Sequence, residues 1–223
     1  LENPDYGKVF DASYSWSWMH KTEDFYKKKL PLTELTDLLA KYSAIGGNSM
    51  RAWFTSNHDE NSWNGTEYEK YGEMAKPLAV FSATWDGVPL MYSGQELPLL
   101  NKRLEFFEKD PIPWNGSYKL EEFYKKLYEL KSKNPALRGG DTNSITKILQ
   151  TNAPDKVLAY LRKNGEDEVL VILNLSDTQH LKLQILDDVV KGKYKSLFSG
   201  LTTNFDTKPT IEMYKWEHLV FEK

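Results

Sequence analysis

Met50-Arg51-Ala52-Trp53-Phe54-Thr55-Ser56-Asn57-His58-Asp59-Glu60-Asn61 is the stretch that decides the reading of this chain. Its first half is apolar, aromatic and β-branched and its second half is polar, the pattern of a buried strand whose C-terminal end carries functional groups. Working backward, Leu30 to Tyr42 sets Leu32, Leu35, Leu39 and Tyr42 at helical offsets, with Pro31 near the start and Gly46-Gly47 beyond the end. Working forward, the spacing predicts a helix from Tyr68 to Trp85, kinked at Pro77 and closed by Asp86-Gly87. A second strand, Val88 to Tyr92, then ends in Ser93-Gly94-Gln95-Glu96. Helix, strand, helix, strand implies parallel strands joined by right-handed crossovers.

A third amphipathic helix, Tyr118 to Lys133, carries Leu120, Phe123, Leu127 and Leu130 on one face and stops before Asn134-Pro135. Beyond Gly140 to Ser144 the pattern changes. Lys156–Leu161, Val169–Asn174, Leu181–Ile185, Tyr194–Phe198 and Trp216–Phe221 are short runs, and Asn164-Gly165, Ser199-Gly200 and Lys208-Pro209 supply turns between them. These runs read as an antiparallel β module of about 80 residues. The expected fold is therefore α/β over residues 1–140 and all-β over 141–223.

Composition narrows the function. With 29 Lys+Arg against 32 Asp+Glu the chain has no basic field for phosphate backbones, which argues against nucleic acid as a partner. No apolar run approaches the roughly 20 residues of a transmembrane segment. There is no cysteine, so neither a thiolate nucleophile nor a Cys zinc site is available, and either an exported or a cytoplasmic setting is allowed. His20, His58, His180 and His218 are dispersed without metal-ligand spacing. A Gly-x-Ser-x-Gly elbow and a phosphate-cradling glycine loop are both absent. The aromatic share of 13%, with Trp 7 and Tyr 13, suits either a filled core or stacking against sugar rings. The sequons at Asn64, Asn115 and Asn174 carry no weight.

In parallel sheets, ligands sit at the carboxyl ends of strands. Two polar clusters occupy such ends, Asn57-His58-Asp59-Glu60-Asn61 and Ser93-Gly94-Gln95-Glu96. Phe54-Thr55-Ser56-Asn57-His58-Asp59 resembles the F-x-x-N-H-D motif that ends a barrel strand in the α-amylase family of glycoside hydrolases. Val88 to Glu96, Lys102 to Phe107, Asp110 to Trp114 and Leu127 to Arg138 follow in the order in which that family carries similar segments, and Val169 to Ser176 and Trp216 to Phe221 are similar to its C-terminal β-sandwich.

The resemblance implies the C-terminal part of a (β/α)8 TIM barrel, roughly three βα units from Val9 to Leu137, followed by an antiparallel β-sandwich. It also implies a retaining attack on α-glucosidic bonds of starch-like α-glucans or maltooligosaccharides by two carboxyl groups about 5 to 5.5 Å apart. The chain contains no G-x-R-x-D nucleophile motif, and the proton donor is expected just upstream of Leu1, with Glu2 the nearest candidate inside the chain. Asp59 is then the third carboxylate, stabilising the transition state through sugar hydroxyls, and His58 donates to a neighbouring hydroxyl. Asn57, Trp63 and Tyr14 complete the candidate substrate-binding set, with loop orientation as the alternative for Asn57 and packing, on loops, as the alternative for the two aromatics. Glu96 supports Asp59 or a network at the barrel floor.

No cofactor is expected in this chain, with calcium possible in a full-length parent. The other expected partner is the missing N-terminal half of the barrel, so open strand edges and uncovered apolar surface should appear, and the chain alone should not hydrolyse starch. The rival reading is a non-catalytic carbohydrate-binding or scaffold protein on an amylase-like frame.

Overall fold

The computed structural model describes residues 3–45, 50–97, 102–114 and 118–223. Glu2, the Gly46-Gly47 helix stop and the Asn115 sequon lie outside the described residues. Three short strands, β1 (Ala12–Tyr14), β2 (Met50–Trp53) and β3 (Val88–Pro89), form one parallel sheet in that order. Ala12 pairs with Met50, Tyr14 with Ala52, and Ala52 with Val88. Each strand is followed by helix: α1 (Trp16–Tyr26) and α2 (Leu32–Ala44), then α3 (Glu67–Tyr71) and α4 (Ala75–Thr84), then α5 (Glu121–Lys133).

The helix expected over Tyr68 to Trp85 is two helices, and the break is not at Pro77. Pro77 stands third in α4, inside the first turn, where backbone N–H groups have no intrahelical acceptor and its missing donor costs little. The chain breaks at Gly72, whose φ of +51° is a left-handed conformation and whose Cβ, were there one, would run into the Tyr26 hydroxyl. Helix α1 has no counterpart among the sequence expectations. Its residues Trp18, Met19 and Thr22 are buried, but Ser15, which precedes it, donates its hydroxyl to Ala52 O of β2 at 2.8 Å rather than capping the helix.

The C-terminal part has β4 (Ile145–Ile148), β5 (Val157–Asn164), β6 (Asp167–Asn174), β7 (Leu181–Leu183), β8 (Lys193–Ser196), β9 (Thr202–Asn204), β10 (Ile211–Met213) and β11 (His218–Glu222). Six of these make an antiparallel sheet in the order β4-β5-β6-β11-β8-β9, and β7 pairs antiparallel with β10. The large sheet is apolar on both faces. Leu158, Tyr160, Val169, Val171, Leu173 and Val220 pack into the core that holds Trp18, Phe81 and Leu127 of the helices. Their alternates Ala159, Leu161, Leu170, Ile172 and Phe221 pack into a second core with Leu183 and Met213 of the small sheet. This double duty explains why β5 and β6 read as continuous apolar runs, unusual for antiparallel strands.

An aromatic chain crosses the seam. Trp18 stacks on Phe81 at 4.3 Å, Phe81 on Trp85 at 5.1 Å, and Trp85 meets Tyr160 of β5 edge-on at 4.8 Å. Arg162, fully buried, donates to Ala136 O at 3.0 Å, Arg138 O at 3.1 Å and Asp86 Oδ1 at 3.3 Å, fixing the sheet to the helical part. Trp53 points toward the helices, whereas Ala12, Tyr14, Ala52 and Leu90, with Tyr6 and Phe10, line an open apolar concavity of about 390 Å³ on one side of the parallel sheet. Among the described residues no helix is long and apolar enough to cross a membrane.

Candidate functional site

Strand β2 ends at Trp53, and Phe54, Thr55, Ser56 and Asn57 continue from it into the interior. Asn57 is 2% exposed and acts on the backbone: its Oδ1 accepts from the Glu60 amide at 2.9 Å, and its carbonyl accepts from Asn61 N at 2.9 Å. The chain then makes one wide helical turn, Glu60–Asn64, a local winding frequent at functional sites. Glu60 is buried against the Lys70 ammonium, and Asn64 Nδ2 donates to Glu60 Oε1 at 3.0 Å. Desolvation pushes the Lys70 pKa down to about 8. Between buried Asn57 and buried Glu60, His58 and Asp59 are left facing solvent, His58 Nε2 lying 3.5 Å from Asp59 Oδ1.

Beneath this turn three elements meet at one buried carboxyl group. Glu67, at the start of α3, accepts from Thr55 Oγ1 and from Gln95 Nε2, both at 2.5 Å, and Gln95 Oε1 accepts from Tyr92 N at 2.6 Å. Burial pushes the Glu67 pKa up to about 7, and the two hydrogen bonds oppose that rise. Glu96 instead accepts from Gly94 N within its own turn at 3.1 Å. The cross-element contacts in this layer are made by Gln95 and Glu67, and the sequence analysis assigned a role to neither.

Trp63 is 57% exposed and lies not on a loop but in the wide turn. Its ring sits 5.5 Å from Phe106 and 6.0 Å from Phe107, itself 83% exposed. His58 stacks on Phe106 at 6.1 Å. The Phe106 segment is held in place by Leu104 N donating to Asn61 Oδ1 at 2.9 Å and by Arg103 against Glu69 at 3.0 Å. Tyr14 also is not on a loop: it ends β1, packed edge-on against Phe54 at 5.6 Å. The structure therefore gathers His58, Asp59 and Trp63 with Phe106 and Phe107, keeps Asn57 underneath them, and sets Tyr14 at the end of the adjacent strand.

Among the described residues no three His, Cys, Asp or Glu side chains gather to hold a metal ion. Asn174, one of the sequons, is fully buried, its Nδ2 donating to Tyr214 O at 2.7 Å and Thr178 O at 3.2 Å.

The profile of the alpha amylase, C-terminal all-beta domain matches residues 148–216. Over 144 residues the chain is 30% identical to the maltogenic alpha-amylase of Bacillus acidopullulyticus, a match covering 63% of this chain and 24% of that protein. The chain matches the C-terminal portion of the α-amylase family. A glucan 1,6-alpha-glucosidase of Streptococcus pneumoniae is 22% identical across 84% of the chain and 45% of its own length. The fold agrees with solved α-amylases. A maltogenic alpha-amylase from Thermotoga neapolitana superposes over 100% of this chain and 51% of its own with a TM-score of 0.79 at 19% identity. An alpha-amylase from Lactobacillus plantarum superposes over 100% and 50% with a TM-score of 0.77 at 17% identity. The chain thus spans about half the length of these α-amylase structures and less of the curated relatives.

Within this α-amylase-like portion, the functional-end residues that sequence reasoning passed over are Phe106 and Phe107. Their signal was present, since two adjacent phenylalanines in a Lys- and Glu-rich segment between strand and helix have no periodic core to fill.

Proposed function

We propose that this chain is part of a retaining glycosidase acting on α-glucosidic bonds of starch-like α-glucans or maltooligosaccharides. Asp59 acts on the reacting sugar ring. The observation that carries the reading is the pair His58 and Asp59, turned outward at the C-terminal end of the central parallel strand by a buried Asn57 turn. The named activities of the relatives supply the substrate class.

Asp59 accepts hydrogen bonds from ring hydroxyls beside the anomeric carbon. Those bonds strengthen as positive charge develops there, so the carboxylate lowers the barrier rather than merely tightening the substrate complex. His58 donates to an adjacent hydroxyl, and Trp63, Phe106 and Phe107 offer ring faces to the apolar side of neighbouring sugars. The nucleophile and the proton donor come from outside these 223 residues, in a barrel half that seats on the apolar concavity bounded by Tyr6, Phe10, Tyr14 and Leu90. No step of the reading passes through a metal held by this chain.

The test has two arms. Reducing-end release from soluble starch by the purified chain is expected to be nil. In the full-length polypeptide that contains it, Asp59→Asn is expected to lower kcat by about 10²–10³-fold with little change in KM. Sugar release by the chain alone, or full activity in the Asp59→Asn enzyme, sinks the proposal. A full-length protein that binds maltooligosaccharide without cleaving it would establish the scaffold reading instead.

A further inference from the structure

A second cleft opens at the seam between the two parts of the chain, sharing no residue with the His58–Asp59 cluster. Its volume is about 450 Å³, within the range of small-ligand sites. One wall is the end of α1 and the connection to α2, with Phe25, Tyr26, Lys28, Lys29 and Leu30. The other wall is the sandwich side, with Asp155, Leu175, Ser176, Asp177 and Trp216.

Two independent observations mark the cleft as more than a packing seam. First, one residue of its wall is held in an uncommon backbone state. Among the described residues four non-glycine residues have positive φ, and two of them, Lys28 at +58° and Trp216 at +53°, line this cleft from opposite walls. For a bulky tryptophan that conformation is an outlier, and such residues concentrate at ligand clamps. Trp216 is held there by its amide donating to Ser176 O at 3.1 Å, whereas the Lys28 conformation is the left-handed cap that ends α1, with the Lys28 amide donating to Phe25 O and the Lys29 amide to Asp24 O, both at 2.9 Å. Second, the rim is ionic but balanced. Lys28 Nζ meets Asp177 Oδ2 at 3.2 Å, closing one side across the seam, and the rim also carries Lys29, itself paired with Asp24 Oδ1 at 2.9 Å, and Asp155.

The floor is apolar and aromatic, with Leu30, Leu32 and Leu175 below and Phe25, Tyr26 and Trp216 presenting half-buried rings. Tyr26 and Trp216 lie 5.8 Å apart at 55°. Trp216 is half-buried, packed against the main core on one side and lining this opening on the other.

A balanced ionic rim over aromatic rings disfavours a strongly charged ligand, which half the rim would repel, and disfavours a wholly apolar one, which would strand the rim. It fits a neutral molecule with apolar ring faces and hydroxyl edges. We propose that this cleft is a second carbohydrate-binding site, taking a short α-glucan segment, with Trp216 and Tyr26 as stacking faces and Asp155 and Asp177 as hydroxyl acceptors. The ligand class rests on the α-glucan reading above, while the site itself rests on the cleft alone.

The 223-residue chain is titrated with maltoheptaose, with cellohexaose as the control sugar, following heat by calorimetry and tryptophan emission. The titration is made in an Asp59→Ala background, which removes the sugar contact at the other cluster, and this chain is expected still to bind maltoheptaose through the cleft. Trp216→Ala should weaken binding at least about tenfold, equivalent to about 1.4 kcal/mol. Asp155→Ala, an exposed rim substitution that leaves the backbone turn intact, should weaken it several-fold and decides the matter if Trp216→Ala does not fold. Unchanged affinity in both cleft variants, equal binding of cellohexaose, or no binding by the Asp59→Ala chain overturns the proposal. None of these outcomes bears on starch hydrolysis by the full-length enzyme, which tests Asp59 separately.

Discussion

Replacing Glu67 by Gln is the most incisive perturbation of the candidate site, because it changes charge and almost nothing else. Gln can present a carbonyl oxygen where Glu67 Oε2 now accepts from Thr55 and Gln95. The folded-state pKa of about 7, raised from 4.5 by burial, means the folded protein prefers the protonated acid and the unfolded chain the carboxylate. The group's contribution is therefore fully present below pH 4.5 and is lost as pH rises through about 7. At about 1.4 kcal/mol for each pKa unit, the wild type loses roughly 3 kcal/mol across that window, and Glu67→Gln loses none of it. Urea denaturation followed by tryptophan emission at a series of pH values measures this directly. Wild type and variant should coincide near about pH 4 and diverge by roughly 3 kcal/mol near about pH 8, with the variant the more stable. Parallel stability curves, or a variant that is weaker at the alkaline end, would show that Glu67 is not buried as the uncharged hub joining β2, α3 and the end of β3.

Two further substitutions probe the seam. Arg162→Ala empties a fully buried site and takes the donors from the carbonyls of Ala136 and Arg138, and is expected to destabilise by about 2–4 kcal/mol, read as a lower urea midpoint. His218 has its pKa pushed down to about 4, chiefly by burial and further by nearby Lys76, and packs against Phe123 and Phe198. Its neutral form supports the fold above pH 6.5, and that support is lost as pH falls toward 4, so His218→Phe should flatten the acid limb of the stability profile while leaving stability near about pH 8 little changed.

Much of the fold was legible because its signals are local. Leu32, Leu35 and Leu39 announce α2, Leu127 and Leu130 announce α5, and Asn164-Gly165 announces the β5–β6 turn. Helix α1 was not legible, since Trp16, Trp18 and Phe25 fall among polar residues without a clear apolar stripe and the flanking serine spends its hydroxyl on β2. The break in the α3–α4 segment was misplaced because Pro77 is the conspicuous breaker, whereas the decisive constraint is Tyr26, distant in sequence, pressing on Gly72. At the site, the motif located His58 and Asp59, but the depth of Asn57 and the Thr55–Glu67–Gln95 hub depend on which side chains meet after folding. No spacing rule encodes that meeting.

The sheet with two apolar faces has a consequence for how this architecture can be inherited. A strand with one wet face keeps its register because a slip by one residue would expose its apolar set, but β5 and β6 lose that penalty, and alignment falls to polar pins such as Arg162, Asn174 and the buried Glu168 that accepts from Lys163 and Tyr194. The change of pattern near Gly140 is therefore a boundary of architecture and not of folding. Cutting there would uncover Leu158, Tyr160, Val169, Val171 and Val220 as one greasy plane. The helical part and the sheet beneath it each cover the other's apolar face.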